Sequence, residues 1–156
     1  MNTVTTIHNI KKIISDLKNK GLKIAFTNGC FDILHRGHIE YLEKARSFAD
    51  ILVLGLNSDN SVRRLKGTPR PYMNEEDRAF ILSRLECVDV VCIFEEDTPE
   101  NLIKIVEPDF LIKGGDYSLD QIVGRTEVEK NGGKVLTIPF VKGKSTTNII
   151  KLIKNE

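Results

Sequence analysis

Cysteine is scarce: Cys30, Cys87 and Cys92 make an odd three, with no closely spaced CxxC pair. That excludes a disulfide framework and a ribbon-type zinc site, and it fits a reducing compartment. Net charge is also nearly absent. Twenty-three lysines and arginines stand against 22 acids, leaving +1, too little for a dedicated nucleic-acid coat. Long apolar runs are missing as well. Nothing approaches the ~18 residues of a membrane span. The lysine-rich start, "MNTVTTIHNIKKIISDLKNKG", lacks the apolar stretch and cleavage site of a secretory signal. The expectation is a soluble, cytoplasmic protein with no membrane or nucleic-acid partner. The chain has 156 residues, most simply one domain, with an ordinary 40% hydrophobic share.

What is present is an alternation of strands and helices. Ile7, Ile10, Ile13, Ile14 and Leu17 recur at helical spacing before Gly21, so residues 1–20 read as an additional N-terminal helix. Five short runs, "LKIAFT", "ADILVLGL", "VDVVCIF", "DFLIK" and "KVLTIPF", are rich enough in β-branched residues to be buried strands. Between and after them lie the helical stretches "GHIEYLEKARSF", "NEEDRAFILSRLE", "PENLIKIVE" and "STTNIIKLIK". Thr98 is expected to cap the third of these, with Pro99 at its first position. The pattern predicts an α/β fold, a Rossmann-like open parallel sheet with helices on both faces. Ligands of such sheets bind beyond the carboxyl ends of the strands, where strand order reverses.

The loops after the strands carry the chemistry. After the first come "NGCFD" and "HRGH": Gly29 permits a sharp turn, Gly37 opens a helix, and His35 and His38 flank that glycine. Two imidazoles beside the unpaired N–H groups of a helix start suit a polyphosphate, although a histidine there is also an ordinary cap or core contact. After the second strand, Asn57, Ser58 and Asp59 precede a basic cluster of Arg63, Arg64 and Lys66. A mobile lysine in that loop is a plausible charge clamp, and a solvated charged helix is the plainer alternative. In "KGGDYS", Lys113 and Asp116 frame Gly114 and its glycine neighbour, which let the backbone approach a ligand. Ser145, Thr146 and Thr147 offer hydroxyls at the start of the last helix. Ile138 stands where a Walker A motif needs glycine, so "GKST" is not a P-loop.

Taken together, "TNGCFDILHRGHIEYLEKA", the "NSD…LKG" loop, "EEDRAFILSRLECVD", "KGGDY" and "GKSTTNII" resemble the cytidylyltransferase-like nucleotidyltransferase superfamily over nearly the whole chain after the first helix. Within it the chain is most similar to heptose 1-phosphate adenylyltransferases, in a stand-alone form without a sugar kinase. The resemblance implies direct attack of a sugar 1-phosphate on the α-phosphorus of ATP, with Mg²⁺ entering with the nucleotide and no metal site built by the protein. It assigns catalysis to His35, His38 and Lys66. Thr27, Asn28, Gly29, Cys30, Phe31, Ser145, Thr146 and Thr147 would bind nucleotide. Asp32, Asp59, Lys113, Gly114 and Asp116 would line the base or sugar pocket. It also implies a homo-oligomer, such as a dimer.

Two departures stand out. Phe140 occupies the position of the arginine in the cytidylyltransferases' "RTEGISTS", and the "RTE" at 125–127 is far from the "STT" and reads as coincidence. Arg78 matches a family position that is structural as easily as ligand-binding. The alternatives are a cytidylyl- or guanylyltransferase acting on glycerol phosphate, ethanolamine phosphate or another sugar phosphate, and a non-enzymatic nucleotide-sensing module. The HxGH and "KGKST" pair faintly echoes class I aminoacyl-tRNA synthetases, but the length leaves no room for tRNA-binding domains.

Overall fold

The structure is a computed structural model and describes residues 2–115 and 117–155. Six parallel strands form one sheet: β1 (Thr3–Thr6), β2 (Ile24–Gly29), β3 (Ile51–Asn57), β4 (Val90–Phe94), β5 (Phe110–Gly114) and β6 (Lys134–Ile138), in the order β1-β4-β3-β2-β5-β6. The helices are α1 (Ile7–Asn19), α2 (Arg36–Arg46), α3 (Asp59–Lys66), α4 (Glu75–Ser83), α5 (Glu100–Val106), α6 (Arg125–Lys130) and α7 (Thr146–Lys154).

Strand alternation divides the apolar residues between the two faces. Val53, Val90, Cys92 and Phe94 pack on α1, α5 and α6 through Ile10, Ile14, Leu17, Leu102, Ile103 and Val128. Their neighbours Leu52, Leu54 and Val91 point the other way, onto Leu42 and Ala45 of α2 and Ala79 and Leu82 of α4. Both faces are covered, which is why the strands read as continuous apolar runs.

Three local expectations change. The first twenty residues are not helix alone: Thr3–Thr6 form an edge strand paired with β4 before α1 begins. Only Thr5 of that strand is buried, so no apolar pattern announces it. Thr98 does not cap α5; Pro99 is the cap residue and no side chain caps that helix. The helix α6, six residues long with only Val128 buried, is also absent from the sequence reading.

Candidate active site

Strand order reverses at β2, whose chain neighbours β3 and β4 lie on one side and β5 on the other. The β2–β5 pairing is short, covering only Ala25 with Phe110 and Phe26 with Leu111. Beyond those residues the strands part. Tyr41 of α2 bridges the gap: Thr27 Oγ1 donates to the Tyr41 hydroxyl (2.6 Å), which donates to the Ile112 carbonyl (3.2 Å). Burial of that phenol pushes its pKa up to about 12. Further out, Lys113 Nζ donates to Asn28 Oδ1 at 2.7 Å. A cleft of about 940 Å³ opens above these bridges, at the carboxyl ends of the strands.

The turn after β2 forms one wall. Gly29 has no left-handed backbone, contrary to the expectation that it makes the sharp bend. The positive φ angles fall on Phe31 (46°) and Ile33 (55°), and a β-branched residue there is strained. Gly29 is needed for another reason: a Cβ on it would lie 3.0 Å from the Phe31 ring folded back over it.

Surrounding contacts hold this turn. The Asp32 carboxylate is buried and accepts from Arg70 Nε (2.7 Å) and the N–H groups of Tyr72 (2.8 Å) and Met73 (3.0 Å). Burial acts to raise its pKa, but these donors outweigh it and leave the value lowered. Its carbonyl accepts from the Thr146 hydroxyl. Asp32 therefore ties the turn to the 70–73 loop and to α7, and its carboxylate has little capacity left for a sugar.

His35 and His38 begin α2 as a reciprocal cap. His35 Nδ1 accepts from Gly37 N (3.1 Å) and His38 Nδ1 accepts from His35 N (3.3 Å). The rings stack with centroids 3.9 Å apart. Because each Nδ1 is an acceptor, each proton resides on Nε2, leaving two neutral N–H donors on residues that line the cleft. Burial lowers the His38 pKa to about 4, helped by His35. Burial and then Lys144 lower that of His35. Gly37 keeps the pair together, since a Cβ there would sit 2.9 Å from His35 Cε1 and 3.1 Å from Lys144 Cβ.

The burial of His38 predicts a pH effect on stability. A histidine whose pKa falls from 6.5 unfolded to about 4 folded binds fewer protons when folded. Its stabilising contribution is complete above pH 6.5 and is lost as pH falls towards 4. Asp32, with a lowered pKa, loses its contribution only below its unfolded value of 3.8, so the windows barely meet. The melting temperature should drop by several degrees between pH 6.5 and 4.5, and His38→Gln should flatten that slope. Equal slopes in parent and variant would show that burial does not hold His38 neutral.

The cleft's electrostatics favour an anion. Lys66, Lys113, Lys142 and Lys144 line it, and among the described residues no carboxylate pairs with them. Burial lowers the pKa of Lys113. Among the described residues the acids on the wall are Asp32, engaged by Arg70, and Asp97, engaged by Arg64. Lys66 is the last residue of α3, not part of a loop, and Gly67 follows it. Among the described residues no three His, Cys, Asp or Glu side chains converge as a metal cage.

Most of the sequence-predicted residues converge. Asn28, Gly29, Cys30, Phe31, Asp32, His35, His38, Lys66, Lys113, Gly114, Ser145, Thr146 and Thr147 all line the cleft. Ser145 also caps α7 by accepting from Asn148 N. Thr27 and Asp59 do not line it: Thr27 lies behind the wall on Tyr41, and Asp59 is paired with buried Arg78. Asp116 lies outside the described residues. Ser58 is the buried cap of α3. Arg125 pairs with Asp120 and Glu129, away from the cleft. Tyr41 and Arg70 are absent from the sequence reading. Tyr41, three residues after His38 on the same helix face, carried a usable signal; Arg70, in an irregular loop, carried none.

A family model described as cytidylyltransferase-like matches residues 26–152. The bifunctional protein HldE of Geobacter sulfurreducens is 59% identical over 141 residues, covering 90% of this chain and 29% of that protein. HldE of Aliarcobacter butzleri is 53% identical over 97% of this chain and 31% of its own length. The chain thus spans about three-tenths of the curated relatives it matches. A lipopolysaccharide core biosynthesis protein of Thermoplasma volcanium matches in structure with TM-score 0.64 and 30% identity, over 80% of this chain and all of that one. A pantoate-beta-alanine ligase of Francisella tularensis shares the fold, with TM-score 0.58 and 19% identity over 97% of this chain and 77% of that one. No helix among the described residues is long and apolar enough to cross a membrane. With more than half its length matched by the family model and the histidine pair set at the sheet's switch point, the chain belongs to the cytidylyltransferase-like family.

Proposed function

We propose that the protein transfers the adenylyl group of ATP to a heptose 1-phosphate, giving ADP-heptose and pyrophosphate. An oxygen of the sugar phosphate attacks the α-phosphorus in line, the bond to the bridging oxygen breaks, and pyrophosphate leaves. No side chain forms a bond to phosphorus, so catalysis is positioning plus charge stabilisation. What carries this reading is the histidine pair: two neutral imidazoles with Nδ1 engaged and Nε2–H left to donate, on the wall of a cationic cleft. Those donors meet the charge that develops around the α-phosphate. Lys66, Lys144 and the start of α7 receive the outer phosphates, and Lys113 faces the acceptor side. Mg²⁺ bound to ATP would shield the charge of its phosphates. Support for the substrate comes from the sequence resemblance and from relatives that include a lipopolysaccharide core biosynthesis protein. A cytoplasmic homo-oligomer is part of the same proposal; sedimentation velocity tests the assembly.

The test is pyrophosphate release with Mg²⁺, crossing ATP, CTP and GTP against β- and α-heptose 1-phosphate and glycerol 3-phosphate. Release confined to ATP with a heptose 1-phosphate is expected. Release with another pair overturns the substrate, and silence from folded protein overturns the activity. Lys66 is exposed at its helix end and makes no ion pair among the described residues. Lys66→Ala should therefore raise the KM for ATP about tenfold while leaving the melting temperature within about 2 °C. A large fall in melting temperature with unchanged kinetics would make that lysine structural.

A further inference from the structure

Phe140 is among the most exposed large apolar residues of the protein, at 73%, yet its ring is not loose in solvent. It lies against the "KGG" turn at the end of β5. A Cβ built on Gly114 would stand 3.0 Å from Cε1 of that ring, and one on Gly115 would stand 2.5 Å from Cε2 and 3.0 Å from Cζ. Contacts to both Cε atoms mean that the ring spreads across the two-glycine segment rather than touching it with one edge. Gly114 is also pressed from elsewhere by Tyr41, 3.2 Å from its hypothetical Cβ. Gly115 has φ of +100°, further restricting that position to glycine.

The ring therefore has one side covered by peptide and the rest open, and it lines the same cleft as His35 and His38. Pro139 precedes it, limiting backbone freedom on that side. Between Phe140 and Ser145, the cap of α7, run Val141, Lys142, Gly143 and Lys144. An aromatic face thus stands at one end of the segment, with two lysines and a helix start at the other. A ligand matching both ends has a flat, apolar π-face joined to a polyanion, which describes a nucleoside triphosphate.

We propose that Phe140, supported on Gly114 and Gly115, is the platform on which the nucleotide's base stacks. The inference rests on reading the cleft as a nucleoside triphosphate site and assigns a part to the residue that departs from the family's arginine. Stacking gives affinity for a purine face without contributing to phosphate binding.

The experiment compares ATP with inorganic tripolyphosphate, each titrated calorimetrically into the parent, Phe140→Ala, Phe140→Leu and Phe140→Trp. Phe140→Ala and Phe140→Leu should weaken ATP roughly 5- to 150-fold while tripolyphosphate binding stays within about twofold. Phe140→Trp should restore ATP binding. The leucine variant keeps apolar cover over the glycines and so carries the test if the alanine variant misfolds. Equal weakening of both ligands or unchanged ATP binding would overturn the platform. A parent that binds ATP but turns over no heptose 1-phosphate would defeat the proposed reaction alone, leaving the ATP–tripolyphosphate difference to decide the role of Phe140.

Discussion

His35→Ala and His38→Ala should each lower kcat by about 10²-fold or more with the KM for ATP changed much less. The expectation follows from the protonation state that the helix cap imposes. With Nδ1 of each ring accepting a backbone N–H, each ring presents a neutral Nε2–H donor, and the stacked pair brings the two donors close together. In the proposed reaction, Lys66, Lys142 and Lys144 on the cleft wall already meet the charge of ground-state ATP. The histidines matter most when negative charge builds up around the α-phosphorus, so their loss falls on kcat. Losing one side-chain cap costs about 1 kcal/mol, which a folded domain tolerates. Pyrophosphate release and thermal melting on the same samples check both halves of the argument. Activity within tenfold of the parent, from folded protein, would remove the histidines from the chemistry.

Much of this site was legible because its parts are local. The two histidines three residues apart, the serine before the last helix and the paired glycines after β5 are each short local patterns, and it is their combination that resembles one family. The buried strands are legible for the same reason, since Leu52 to Leu54 or Val90 to Cys92 leave no polar face. What the sequence hides is long-range. Nothing in "NGCFD" indicates that Asp32 is claimed by Arg70 and by two N–H groups about forty residues away, or that Thr27 is turned onto Tyr41. Edge strand β1 hides because an edge needs only one buried side chain. The left-handed residues hide best: Phe31 and Ile33 have side chains that argue against that backbone, and only their packed surroundings hold them there.

Arg78 is the clearest case of a residue whose role emerges only in three dimensions, and Arg78→Met carries the largest expected effect on stability. Its guanidinium is buried, and it donates to the carbonyls of Met73 (2.9 Å), Cys30 (2.6 Å) and Asn57 (2.9 Å) and to Asp59 Oδ1 (2.7 Å). Two of those carbonyls belong to residues that line the cleft, Cys30 after β2 and Asn57 at the end of β3. One side chain from α4 therefore fixes the ends of two strands and the approach to the 70–73 loop. Methionine matches much of its volume but none of its donors, leaving three carbonyls and a partly buried carboxylate without this partner. The cost should be about 3–5 kcal/mol, or roughly 10 °C in melting temperature. Arg78→Lys should recover little, because one ammonium cannot reproduce the planar fork. ATP affinity should fall together with stability, since the cleft wall loosens with the same bonds. A melting temperature within about 2 °C of the parent would mean that water replaces the guanidinium at no cost, and that the strand ends are held by the sheet alone.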